Sequence, residues 1–87
     1  MDEATKIAYD LSRDQPYWFV EMKRTDRGTA RSYVKFGTID KTILISWSEE
    51  PSLRIDIGIQ HETEGVLDEI PCVNWSDTLS HAKELLR

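Results

Sequence analysis

The sequence predicts an α+β domain: an antiparallel meander sheet of four or five strands with an N-terminal and a C-terminal helix packed on one face, in the order α-β-β-β-β-(β)-α. Three observations carry this reading. Lys41 to Gln60 holds two runs of strict apolar alternation, Ile43, Ile45 and Trp47, then Leu53, Ile55, Ile57 and Ile59, separated by the turn-like Ser48-Glu49-Glu50-Pro51-Ser52. Alternation at period two is the mark of half-buried strands. Asp26-Arg27-Gly28 divides another such pair, and apolar stripes at helical spacing close both ends of the chain.

Taken in order, Ala4, Ile7, Ala8 and Leu11 lie at i, i+3, i+4 and i+7, one face of an opening helix. Asp2 is placed to cap it, and Pro16 biases Gln15 away from helical geometry, so the helix is expected to end near Asp14. A strand from Tyr17 to Thr25 and another from Ala30 to Gly37 follow. Pairing Thr25 with Thr29 sets Trp18 opposite Phe36 and Val20 opposite Val34, and puts Lys23 opposite Arg31. In the central hairpin Trp47 is set against Leu53, Ile45 against Ile55 and Ile43 against Ile57. Val66 to Ile70 reads as a short fifth strand stopped by Pro71. Ser76 or Asp77 is placed to cap a last helix carrying Leu79, Ala82, Leu85 and Leu86.

Four strands about 4.8 Å apart are about as wide as two helices packed 8–10 Å apart. The two helices therefore cover one face and leave the other open. The covered side takes Trp18, Val20, Met22, Val34, Phe36, Ile43, Ile45, Trp47, Leu53, Ile55, Ile57 and Ile59. With 87 residues and one cysteine, Cys72, the chain reads as one domain, residues 1–87, held by packing rather than by a disulfide. The acidic start and the shortness of the apolar runs point away from secretion and membranes and towards the cytoplasm.

Net charge is −5, but Met22 to Lys41 carries six basic and two acidic residues, which leaves −9 for the remainder. A basic hairpin in an acidic chain marks either a partner surface or a solvated face. The same register lays out the open face in rows: Phe19, Lys35, Leu44 and Asp56, then Glu21, Tyr33, Ser46 and Arg54, then Tyr17, Gly37, Thr42 and Gly58. Aromatic rings beside cations suit a protein interface. They also suit single-stranded nucleic acid, where rings stack on bases and cations meet phosphates.

The expectation is a small non-enzymatic binding module, of the adaptor or inhibitor type, that contacts a protein partner. Tyr17, Phe19, Tyr33, Lys35 and Arg54 form its centre, with Lys23 and Arg31 at the rim. Single-stranded nucleic-acid binding on these residues is the alternative, and closure of the face by a second copy of the chain a further one.

Enzyme chemistry finds little footing, and no cofactor or metal is expected. His61-Glu62 opens like a zinc-protease motif, but Gly65 occupies the second histidine position. Glu62, Glu64, Asp68 and Glu69 do not match a calcium loop. A hydrolase around Cys72 and His81 would need the last helix to fold His81 back on Cys72, and a third group to orient the pair.

From Leu53 onward, an alternating strand, Gly65, a second short strand, Ile70-Pro71-Cys72, then Asp77-Thr78-Leu79 with Ala82 and Lys83-Glu84 is similar to the HicB-type antitoxin fold. Val73 and Trp75-Ser76 stand where that family has its glycines, and the first helix and first two strands have no counterpart there. The functional expectations rest on the residues, not on this resemblance.

Overall fold

The computed structural model describes residues 2–23, 31–61 and 65–87. Its elements are α1 (Glu3–Ser12), β1 (Phe19–Lys23), β2 (Ser32–Gly37), β3 (Thr42–Ser48), β4 (Arg54–His61), β5 (Gly65–Cys72) and α2 (Trp75–Leu85). The strands form one antiparallel sheet in the order β1-β2-β3-β4-β5, the expected meander with the fifth strand complete. On one face α1 lies against β1 and β2, α2 lies against β4 and β5, and the helices touch each other. Between the layers sit Ala4, Ile7 and Ala8 of α1, Val34, Phe36, Ile43, Ile45, Trp47, Ile55 and Ile57 of the sheet, and Ala82 of α2. Trp75 closes the end of this core with its ring edge-on to Trp47, 5.8 Å between centroids.

Both predicted hairpins keep their faces but change register. Val20 pairs with Phe36 and Met22 with Val34, while Trp47 pairs with Ile55, Ile45 with Ile57 and Ile43 with Ile59. Each is a two-residue shift from expectation, which returns every side chain to the same face because the pleat repeats every two residues. The ends of the apolar runs are what move. Leu53 falls in the connection before β4 and is 44% exposed, and Met22, near the end of an edge strand, is 47% exposed. Lys23 faces Tyr33, not Arg31. The Asp26-Arg27-Gly28 turn and the Thr25–Thr29 pair lie outside the described residues.

The helix ends also differ from expectation. Asp2 occupies the N-cap of α1 without a side-chain capping bond, and the helix ends at Ser12 rather than near Asp14. In α2 the cap is Asn74, not Ser76 or Asp77: its Oδ1 accepts from the Asp77 amide at 2.8 Å. Asp77 answers by accepting from the Val73 amide at 2.9 Å, a reciprocal arrangement of the capping-box kind. It fixes the joint between β5 and α2.

The turn between β2 and β3 is tight. Gly37 has φ +125°, and a Cβ there would run into the Lys41 carbonyl, which accepts from the Thr38 amide at 2.9 Å. At the β5 edge, Pro71 pairs with Asp56, and the ladder to β4 is irregular between Ile57 and Ile59. A proline and a bulge are devices that discourage a further strand from adding there.

Candidate functional site

The candidate site is the sheet face turned away from the helices. With the observed register its rows are Phe19, Gly37, Thr42 and Gln60, then Glu21, Lys35, Leu44 and Gly58, then Lys23, Tyr33, Ser46 and Asp56. These replace the predicted rows, in which Phe19 lay beside Lys35 and Arg54 beside Ser46. The aromatic opposite Gly37 is Phe19, not Tyr17. Arg54 opens β4 opposite Ser48 and is exposed, at one end of the face.

Two cations of the predicted site are already engaged within the domain. Arg31, expected at the rim, spans the sheet instead. Its Nη2 donates to Asp56 Oδ2 at 2.7 Å, to the Ser46 carbonyl at 2.9 Å and to the Arg54 carbonyl at 3.3 Å. Both side chains of the Arg31–Asp56 pair are about one-third exposed, so solvent screens it and its stabilisation is on the order of 1 kcal/mol or less. Its larger effect is to fix the guanidinium. Lys35 carries its ammonium over the Tyr33 ring, 5.3 Å from the centroid, within cation–π range. Glu21 stands across the strand pair from Lys35. Sequence reasoning missed the role of Asp56, because only the correct register brings it next to Ser46 and within reach of Arg31.

The apolar part of the face is Leu44, half-buried in the middle strand, and Phe19, 36% exposed at the edge. The sequence expectation of a strand starting at Tyr17 is not met, since β1 begins at Phe19. Tyr17 precedes the strand with φ 65° and is 95% exposed. A non-glycine residue in the left-handed region costs about 1–2 kcal/mol, and nothing that the ring packs against recovers that cost at such exposure. Tyr17→Gly is therefore expected to raise stability, by about 1 kcal/mol, while removing a ring from the face's border. Chemical denaturation checks it, and an unchanged or lower midpoint would contradict the strain.

The structure folds α2 so that His81 does approach Cys72. The donor atoms of Cys72, Asp77 and His81 all lie within 4.8 Å of one another, and His81 Nε2 is 3.4 Å from Asp77 Oδ1. The third group that the sequence did not reveal is thus Asp77, read there as a helix cap. Partial burial pushes the Cys72 thiol up; the Thr78 hydroxyl offsets part of this, and the charges of Asp77 and Asp56 add to the rise. A thiol held protonated is a poor nucleophile. The cleft at the opposite end of the helix layer, about 310 Å³, is lined by Tyr9, Ser12, Arg13, Trp18 and Val20, with no base among them to activate the serine. Among the described residues no helix is long and apolar enough to cross a membrane. Comparison with family models, with curated proteins and with solved structures returns no match, so any functional reading rests on this geometry alone.

Proposed function

We propose that the domain is a non-enzymatic binding module, of the adaptor or inhibitor type, that takes a protein partner on its open sheet face in a reducing, cytoplasmic setting. The observation that carries this is the way the face uses its own cations. Arg31 is bonded to Asp56 and to two carbonyls, and Lys35 lies over Tyr33. Phosphate contacts draw on available cations and stacked bases on open ring faces, and both resources are partly taken up here. A protein partner needs neither: Leu44 and Phe19 give it an apolar centre, and Tyr17, Lys23 and Arg54 a polar and aromatic rim.

The test is affinity capture with the purified domain, run with and without nuclease and at two salt concentrations, beside a Leu44→Glu variant. The expected result is a protein that binds directly when purified, survives nuclease and moderate salt, and loses at least tenfold in affinity against Leu44→Glu. That loss is about 1.4 kcal/mol or more, as a charge buried without a partner demands. Tyr33→Ala and Lys35→Ala are expected to keep the fold within about 0.5 kcal/mol, so their effects report on binding. Nucleic acid that disappears with nuclease and with salt would replace this reading by the single-stranded one. Empty captures from a protein that sediments as a dimer would assign the face to a second copy.

A further inference from the structure

The geometry points to a zinc site formed by Cys72, Asp77 and His81, on the helix side of the sheet and separate from the open face. Its three donors come from two elements. Cys72 ends β5, and Asp77 and His81 lie one turn apart on α2. An Asp–His pair at i, i+4 on a helix is ordinary. The third donor, a sulfur arriving from a strand, is what makes the group a ligand set, because soft thiolate with imidazole and carboxylate is the chemistry zinc selects.

Distances agree with that assignment. Zinc bonds of about 2.3 Å to sulfur and 2.0–2.2 Å to nitrogen and oxygen put neighbouring donors roughly 3.4–3.7 Å apart around a tetrahedral ion. His81 Nε2 and Asp77 Oδ1 already stand 3.4 Å apart. The widest separation within the set is no more than 4.8 Å, about 1 Å over the tetrahedral spacing, which small torsional changes in the side chains can close.

The carboxylate is also oriented in advance. Asp77 Oδ2 is held by the Val73 amide at 2.9 Å, leaving Oδ1 directed at His81, and outer contacts of this type set the geometry of metal ligands. All three residues are half-buried, so an ion has a path from solvent. Three protein ligands leave a fourth position for water or for a donor from a partner.

The set lies where it can act on the fold. Cys72 pairs with Ile55 at the sheet margin, and Asp77 belongs to the α2 cap. An ion held there would tie the last strand to the last helix, and binding to the folded state alone would raise thermal stability by mass action.

The experiment is titration of the metal-free protein with Co²⁺, followed by displacement with Zn²⁺, for the wild type, Cys72→Ser, Asp77→Asn, His81→Gln and His61→Gln. The wild type is expected to show a saturable thiolate-to-cobalt charge-transfer band with visible bands of tetrahedral intensity, both abolished by Zn²⁺. Cys72→Ser should lose the charge-transfer band, and His81→Gln should bind at least tenfold more weakly. His61→Gln should match the wild type. Added Zn²⁺ should raise the melting temperature of the wild type but not of His81→Gln, and should slow alkylation of Cys72. His81 lies in the body of α2 and takes no part in the cap hydrogen bonds among Val73, Asn74 and Asp77, so that variant tests the site even if Asp77→Asn unfolds. Absence of the cobalt bands in folded wild-type protein would overturn the assignment. So would equal affinity in His81→Gln, which would mean a thiol binding metal by itself.

Discussion

Phe36→Ala is expected to remove about 3–5 kcal/mol of stability and to leave the domain close to unfolded at physiological temperature. Phe36 is completely buried in β2, with Val20 and Ile43 as its cross-strand neighbours and α1 packed over the strand. Truncation to alanine removes most of the ring's favourable burial and opens a void that a two-layer core this thin cannot fill from either side. At about 0.05–0.15 kcal/mol per residue, a chain of this length has roughly 4–13 kcal/mol in total. Denaturant unfolding should show a much lower midpoint with an unchanged slope, and thermal melting a drop on the order of 15 °C or more. A drop below about 5 °C would mean that the ring is not in the core.

The second large effect is expected one residue away, from backbone rather than burial. Gly37→Ala adds a single methyl group, yet φ +125° is a region that side chains rarely occupy, and that methyl meets the Lys41 carbonyl. Such backbone strain costs about 1–3 kcal/mol, and relief of the clash would have to move Lys41 away from the Thr38 amide it accepts from. The β2–β3 turn therefore loses either its hydrogen bond or its geometry. Because Gly37 pairs with Phe19 and Thr42, the change should also weaken the row of the open face that contains Phe19. A Gly37→Ala protein that melts with the wild type would show that the turn tolerates another conformation. The two substitutions touch adjacent residues, so their costs are not expected to add in a double variant.

How much of this was legible in the sequence depends on what alternation can encode. Period two separates faces, and the inward set of Val34, Phe36, Ile43, Ile45, Trp47, Ile55 and Ile57 is buried as the pattern implied. The same period cannot distinguish registers two residues apart, which is why both hairpins were placed one pair out. Apolar residues at the ends of runs suffered most: Leu53 and Met22 fit the stripe but not the core. At the candidate site, Tyr33 and Lys35 were placed together correctly because neighbours on one face of one strand need no register. Arg31 with Asp56 could not be read, since the two lie 25 residues apart in the chain and the contact spans three strands. Of the Cys72, Asp77 and His81 group, the sequence offers Cys72 with His81 and reads Asp77 only as a cap; the meeting of all three depends on the Asn74 cap that turns the chain from β5 into α2.

The meander order has a kinetic consequence. Every strand pairs with its immediate predecessor in the chain, α1 rests on the first two strands and α2 on the last two. Nearly all the ordering therefore closes short loops, whose entropic cost is small, and topologies of this locality fold quickly for their strand content. The most distant elements that meet are α1 and α2. Their contact is the natural last step, so a chain emerging from a ribosome can assemble the sheet strand by strand and join its two helices at the end.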